Sequence, residues 1–185
     1  MELHSLLGRN GKAAKLMVAT LLVIGSSGCT MVYSGRAGYS HPISAKAADA
    51  AEVDVGLGWG IAESTGVVAH NNWLRSKFGP GLFHLGLYPA ILLNLFANKY
   101  VALNLNTGFE AAGIDVVQSK PSFSIASPFA DLGIGFRPPS LKDWIINLAF
   151  GAEYRIRTRE DIPNAGYLNL TLGVTYAAEW NSYPQ

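Results

Sequence analysis

Three kinds of side chain in this sequence carry chemistry: histidines, one thiol, and carboxylates spaced among arginines. Beyond residue 28 the histidines are His41, His70 and His84. His70 stands in Ala69-His70-Asn71-Asn72, no Gly-x-Ser-x-Gly elbow occurs, and no nucleophile and base stand at a telling spacing. No His or Cys cluster has metal-ligand spacing, so neither a metal nor a cofactor is expected. Cys29 is the only cysteine and cannot form an internal disulfide. The charged residues are more informative. Glu52, Asp54, Glu110, Asp131, Arg137, Glu153, Arg155, Arg157 and Glu179 each stand opposite an apolar face within an alternating stretch. Charges gathered on one enclosed face are tolerated when paired, so the chemistry expected is a network of salt bridges and hydrogen bonds, and no enzymatic activity is expected.

The elements that position those charges alternate with a period of two. From Tyr167 to Trp180, Leu168, Leu170, Leu172, Val174, Tyr176, Ala178 and Trp180 share one face, against Asn169, Thr171, Gly173, Thr175, Ala177 and Glu179. The same pattern runs through 51–62 and 100–110. In 143–157 only Ile145 is out of phase. In 122–137 the phase changes near Pro128, which predicts a bulge. Gly66 to Leu74 alternates weakly and is read as a strand. Leu82 to Ala97 is apolar on both faces and is read as two short strands around Pro89. These stretches make about eight strands, joined by tight or polar connectors such as Ala97-Asn98-Lys99 and Pro138-Pro139-Ser140.

The non-apolar face is mostly Gly, Ala and Asn, whereas a soluble sheet would crowd it with Lys, Glu and Thr. Only 15% of residues are charged, and 20 of 185 are glycine, as suits a narrow closed barrel with lipid outside. The fold expected is all-β: an antiparallel up-and-down barrel of about eight strands at 51–180, with a C-terminal tail at 181–185. Without residues 1–28 the net formal charge is near zero, so nucleic acid is not an expected partner.

Residues 1–28 read as a cleaved signal peptide. Arg9, Lys12 and Lys15 precede the apolar run Leu16 to Ile24, which is too short to span a bilayer as a helix. Cys29 follows Ser27-Gly28, which resembles the lipobox of bacterial lipoproteins, although Ser26 stands where that family usually has Leu. The resemblance implies lipidation at Cys29, while ordinary signal peptidase cleavage before Cys29 would also fit. Residues 29–50, rich in Ser, Gly and Ala, are expected to be a flexible tether.

As a pattern, 51–180 resembles the small bacterial outer-membrane β-barrels. Their last strand usually carries an assembly signal, matched in spacing by Thr171, Gly173, Tyr176 and Ala178 and extended by Trp180. The family usually ends on the aromatic residue, whereas this chain continues for five residues. The resemblance implies a bacterial outer-membrane location. The partners it implies are outer-membrane lipid and, during insertion, the barrel assembly machinery. It implies a structural, adhesive or partner-binding role. Two alternatives stay open: a lipid-anchored soluble periplasmic barrel holding an apolar ligand or an envelope protein, and a lipid-modifying hydrolase. The sequence around His70 lacks the His-x-Ser-Asn pattern of the lipid A deacylases.

Overall fold

Alternation with large apolar side chains on one face forces a sheet to bury one side and to leave no free edge in an apolar medium, and closure satisfies both demands. The computed structural model describes residues 29–43, 47–63, 66–141 and 143–177. Residues 1–28, read from the sequence as a signal peptide, and Ala178, Glu179, Trp180 and residues 181–185 lie outside the described residues.

The strands are β1 (Cys29–Pro42), β2 (Ala50–Glu63), β3 (Gly66–Gly79), β4 (Leu82–Phe96), β5 (Val101–Phe109), β6 (Ala112–Val117), β7 (Lys120–Ser124), β8 (Pro128–Phe136), β9 (Trp144–Arg155) and β10 (Ala165–Ala177). All pairs are antiparallel between neighbours, and β1 pairs with β10 to close the ring. β5 and β6 are two halves of one bent stave on β4, and β7 and β8 are two halves of the next. The wall therefore has eight staves in up-and-down order, as expected.

The two bends are matched bulges. Glu110 donates its amide to the Ser127 carbonyl at 2.9 Å, and Ala126 returns a bond to the Glu110 carbonyl at 2.7 Å. Ala126 has a positive φ of 52°. Ile125 and Ala126 both face outward, so the phase flips there, as the proline predicted. The partner bulge at Ala111 and Ala112 was not foreseen, because β6 is too short to show a period of its own.

Three expectations need correction. The segment read as a tether is the first stave: Gly38 and the Ser and Ala residues around it dilute its apolar period, yet Met31, Tyr33, Ala37 and Tyr39 face outward while Val32, Ser34 and Ser40 face inward. The barrel thus begins at Cys29 rather than Ala51. Leu82–Phe96 is a single strand, not two. Pro89 sits where β4 passes from β5 to β6, a break at which one ladder donor is dispensable. The third strand continues past Leu74 to Gly79, because its inner face holds Trp73, Arg75 and Lys77 and so hides the alternation.

Candidate functional site in the barrel lumen

The barrel inverts the polarity of a soluble protein. Leu57, Leu105, Leu132, Leu148, Phe150 and Leu172 are exposed on the outer wall, whereas Glu52, Asp54, Arg75, Lys77, Glu153 and Arg155 are buried inside. Strand parity produces this arrangement, since each charged residue stands between two outward-facing neighbours, apolar in every case except Ser76 between Arg75 and Lys77.

The lumen charges interlock. Near the middle, Arg36 on β1 reaches Asp54 at 2.6 Å and Asp131 at 2.5 Å. Arg75 on β3 donates to Glu52 at 2.5 Å and to Asp54 at 3.2 Å, and its guanidinium lies over the rings of both Tyr88 and Phe129. Lys77 lies 3.1 Å from Glu52 and 3.0 Å from Glu153, and also donates to Ser40 and Asn169. Glu153 joins this layer to a second one. There Arg155 donates to Glu153 at 2.8 Å and to Asp115 at 3.0 Å, and Arg157 reaches Asp115 at 2.7 Å. His84 bonds Asp115 through Nδ1 and the Tyr88 hydroxyl through Nε2, both at 3.0 Å, and Tyr88 donates to Glu153 at 2.9 Å. Glu110 accepts from Ser124 at 2.9 Å. A buried charge is tolerated only when it is paired, and a network with members on all eight staves forms only when they all hold register.

Glycines make room for the carboxylates. A Cβ at Gly151 would collide with the Asp131 carboxylate, and one at Gly113 with that of Glu110. Inward glycine is therefore a socket as well as a filler.

Apolar layers stand beyond the charges at both ends. Toward the chain termini, Val32, Val67, Ala69, Leu92, Ile145 and Ala177 pack together inside the barrel. This explains Ile145, the residue out of phase in 143–157. At the other end Ala50, Leu82, Ala165 and Tyr167 form a second layer. The void beside Arg36, Trp73 and Asn106 measures about 20 Å³, room for one water.

Of the expected lumen residues, Glu52, Asp54, Glu110, Asp131, Glu153, Arg155 and Arg157 face inward; Glu110 lies 3.4 Å from His84, and the other six join ion pairs between a carboxylate and an arginine or lysine. Arg137 stands at the terminal end, over the ring of Phe96. Of the assembly-signal residues, Thr171 and Gly173 face inward and Tyr176 outward, against Trp144 and Tyr33. Sequence reading missed Arg36, Arg75, Lys77, Tyr88 and Asp115, and left His84, like His70, between an interfacial and a lumen-lining position. A signal for them existed: the expected set was rich in acids, its only cations were three arginines, and a closed lumen demands counter-charges. Arg75 and Lys77 stand two apart, as one strand face requires. His84 proves to be a lumen residue. His70 faces outward, stacked on Trp59 at 5.1 Å, with no hydroxyl or carboxylate bonded to it among the described residues.

A closed eight-stave barrel with an apolar exterior and a filled, charged interior has the architecture of the small outer-membrane β-barrels. No protein-family model and no curated protein sequence matches the chain. Among solved structures, the crystal structure of Neisserial surface protein A (NspA) superposes with a TM-score of 0.60 at 14% identity, over 81% of this chain and 99% of that one. The outer membrane enzyme PagL gives 0.47 at 14% identity, over 78% and 98%. The Yersinia pestis attachment invasion locus protein Ail gives 0.45 at 16% identity, over 82% and 99%. At such identities the likeness to NspA is one of fold.

Proposed function

We propose that this chain is an integral β-barrel of the bacterial outer membrane with a structural, adhesive or partner-binding role, and that it is not an enzyme. The observation that carries this reading is the inverted polarity: an outer wall of Leu, Ile, Val and aromatic side chains around a sealed lumen of paired charges. Residues 1–28 direct export, the barrel assembly machinery inserts the chain, and outer-membrane lipid surrounds it. Lipidation at Cys29 is compatible with this picture, because β1 starts at that residue and pairs it with Ile61. The acyl chains would then enter the bilayer beside the wall, with no spacer. A binding role falls to the connectors 43–49 and 156–164, at the end opposite the termini. The absence of catalysis is supported by the engagement of His84 inside the lumen and by His70 having no hydroxyl or carboxylate bonded to it among the described residues.

The test is membrane fractionation with electrophoresis of boiled and unboiled samples, on a Cys29→Ser chain. Retention after carbonate washing and a heat-dependent mobility shift are expected. Leu172→Arg places a cation on the lipid-facing wall at a cost of about 2–4 kcal/mol at the midplane, and should abolish both. Release of the Cys29→Ser chain as a folded soluble protein would overturn the proposal.

A further inference from the structure

The outer wall contains few polar side chains among the described strands, and two of them are satisfied from within it. Ser76 donates to the Val53 carbonyl at 2.7 Å, and Thr107 to the Phe129 carbonyl at 3.1 Å. Asn72 and His70, neighbours on the outer face of β3, have no hydrogen-bond partner among the described residues. His70 at least lies against the Trp59 ring. Asn72 is flanked across the ladder by Leu57 and Pro89.

Its depth makes this costly. Asn72 is at the middle of Gly66–Gly79. A strand tilted by about 45° climbs roughly 2.3 Å per residue, so the strand ends stand about 15 Å from it on either side, and the amide lies near the centre of the apolar band. No water and no lipid headgroup reaches that level. An amide there needs a protein partner at the same depth.

We propose that a second copy of this chain supplies it, through a symmetric dimer that packs β3 against β3. The inference rests on the membrane reading above. Copies inserted by one route share one orientation, so the two-fold axis runs along the membrane normal and each residue near the axis meets its own counterpart at equal depth. An amide suits that arrangement because it carries both donor and acceptor, so two Asn72 side chains satisfy each other reciprocally. His70 and Trp59 flank the contact on the side nearer the termini.

The experiment uses the mature Cys29→Ser chain in phospholipid vesicles. Asn72→Cys should form a disulfide dimer on mild oxidation, and Leu132→Cys, three staves round the wall, should not. Asn72→Leu should weaken self-association about ten-fold by energy transfer between labelled copies, the range expected for hydrogen bonds between membrane segments. The same change should leave the heat-dependent mobility shift intact and raise resistance to unfolding, because it removes a polar group from lipid. A monomer at every lipid-to-protein ratio, or equal cross-linking at 72 and 132, with the mobility shift present, would overturn the dimer and leave the barrel reading standing. Loss of the shift in the Cys29→Ser chain itself would overturn the membrane reading instead.

Discussion

Glu52 and Val53 are adjacent in the chain and live in opposite solvents. Glu52 is fully buried among Arg36, Arg75 and Lys77, whereas Val53 is 47% exposed on the outer wall. The two faces are also held by different rules. The outer face needs only to be apolar, so Leu, Ile, Val and Phe substitute for one another along it and no single residue fixes the register. The inner face works by specific pairing, and each carboxylate has named partners on other staves. The outside therefore sets where the barrel resides, and the inside sets which strand stands beside which.

That contrast predicts unequal responses to mutation. Arg75 contacts Glu52 and Asp54 and lies 3.6 Å from Glu153. Arg75→Ala leaves three buried carboxylates short of charge and should destabilise the barrel by about 3–5 kcal/mol, read as a lower urea midpoint in detergent micelles. Adding Glu52→Gln should recover part of the loss, since the double variant removes one of the stranded charges. An outer-wall exchange such as Leu148→Ile should shift the midpoint by less than about 1.5 kcal/mol. Equal effects at Arg75 and Leu148 would mean that the inner face sets register no more than the outer one does.

The same contrast explains what could be read in the sequence. β2, β9 and β10 carry large apolar groups outward and small or charged groups inward, so parity shows, and the charges expected on β2 and β9 face the lumen. β1 uses Gly35 and Ala37 on its outer face, and β3 turns Trp73 inward while His70 and Asn72 face outward. In those staves the hydrophobic signal and the true orientation disagree, and Arg36, Arg75 and Lys77 were lost with them. Tyr88 and Asp115 were lost, and His84 was left undecided, for another reason. β4 is apolar on both faces, and β6 spans only six residues, so neither yields a phase. Pairing across the lumen is non-local and leaves no trace in spacing along the chain, except as an excess of acids awaiting counter-charges.

A smaller effect separates space from charge on the inner face. Gly151 leaves room for the Asp131 carboxylate, and the Ala130 carbonyl stands close by. Gly151→Ala would force Asp131 off Arg36 without changing any charge, for a cost of about 1–3 kcal/mol. Ala149, the neighbouring inward residue on β9, lines the void of about 20 Å³, so Ala149→Ser should cost less. The midpoints of the two variants, measured together, would show whether the socket or simply added bulk is responsible.

The smallest effect expected lies outside both faces, in the connector after β9. Asp161 accepts from Arg159 at 2.8 Å and pairs with Lys120 at 3.4 Å, which ties the loop to the turn between β6 and β7. The Arg159 guanidinium, with a lesser contribution from Lys120, holds the Asp161 carboxyl down at about 2 from an ordinary 3.8. A carboxyl lowered on folding stabilises the folded loop above its unfolded value, and that contribution is lost as pH falls toward the folded one. Protease cleavage within 156–164 should therefore rise between about pH 4 and pH 2, while the heat-dependent mobility shift of the barrel persists. Asp161→Asn should remove the pH dependence and leave the loop cleavable throughout. Because all three side chains are largely exposed, solvent and salt weaken the tie. Added salt should therefore mimic the substitution in the loop and leave the sealed lumen network untouched.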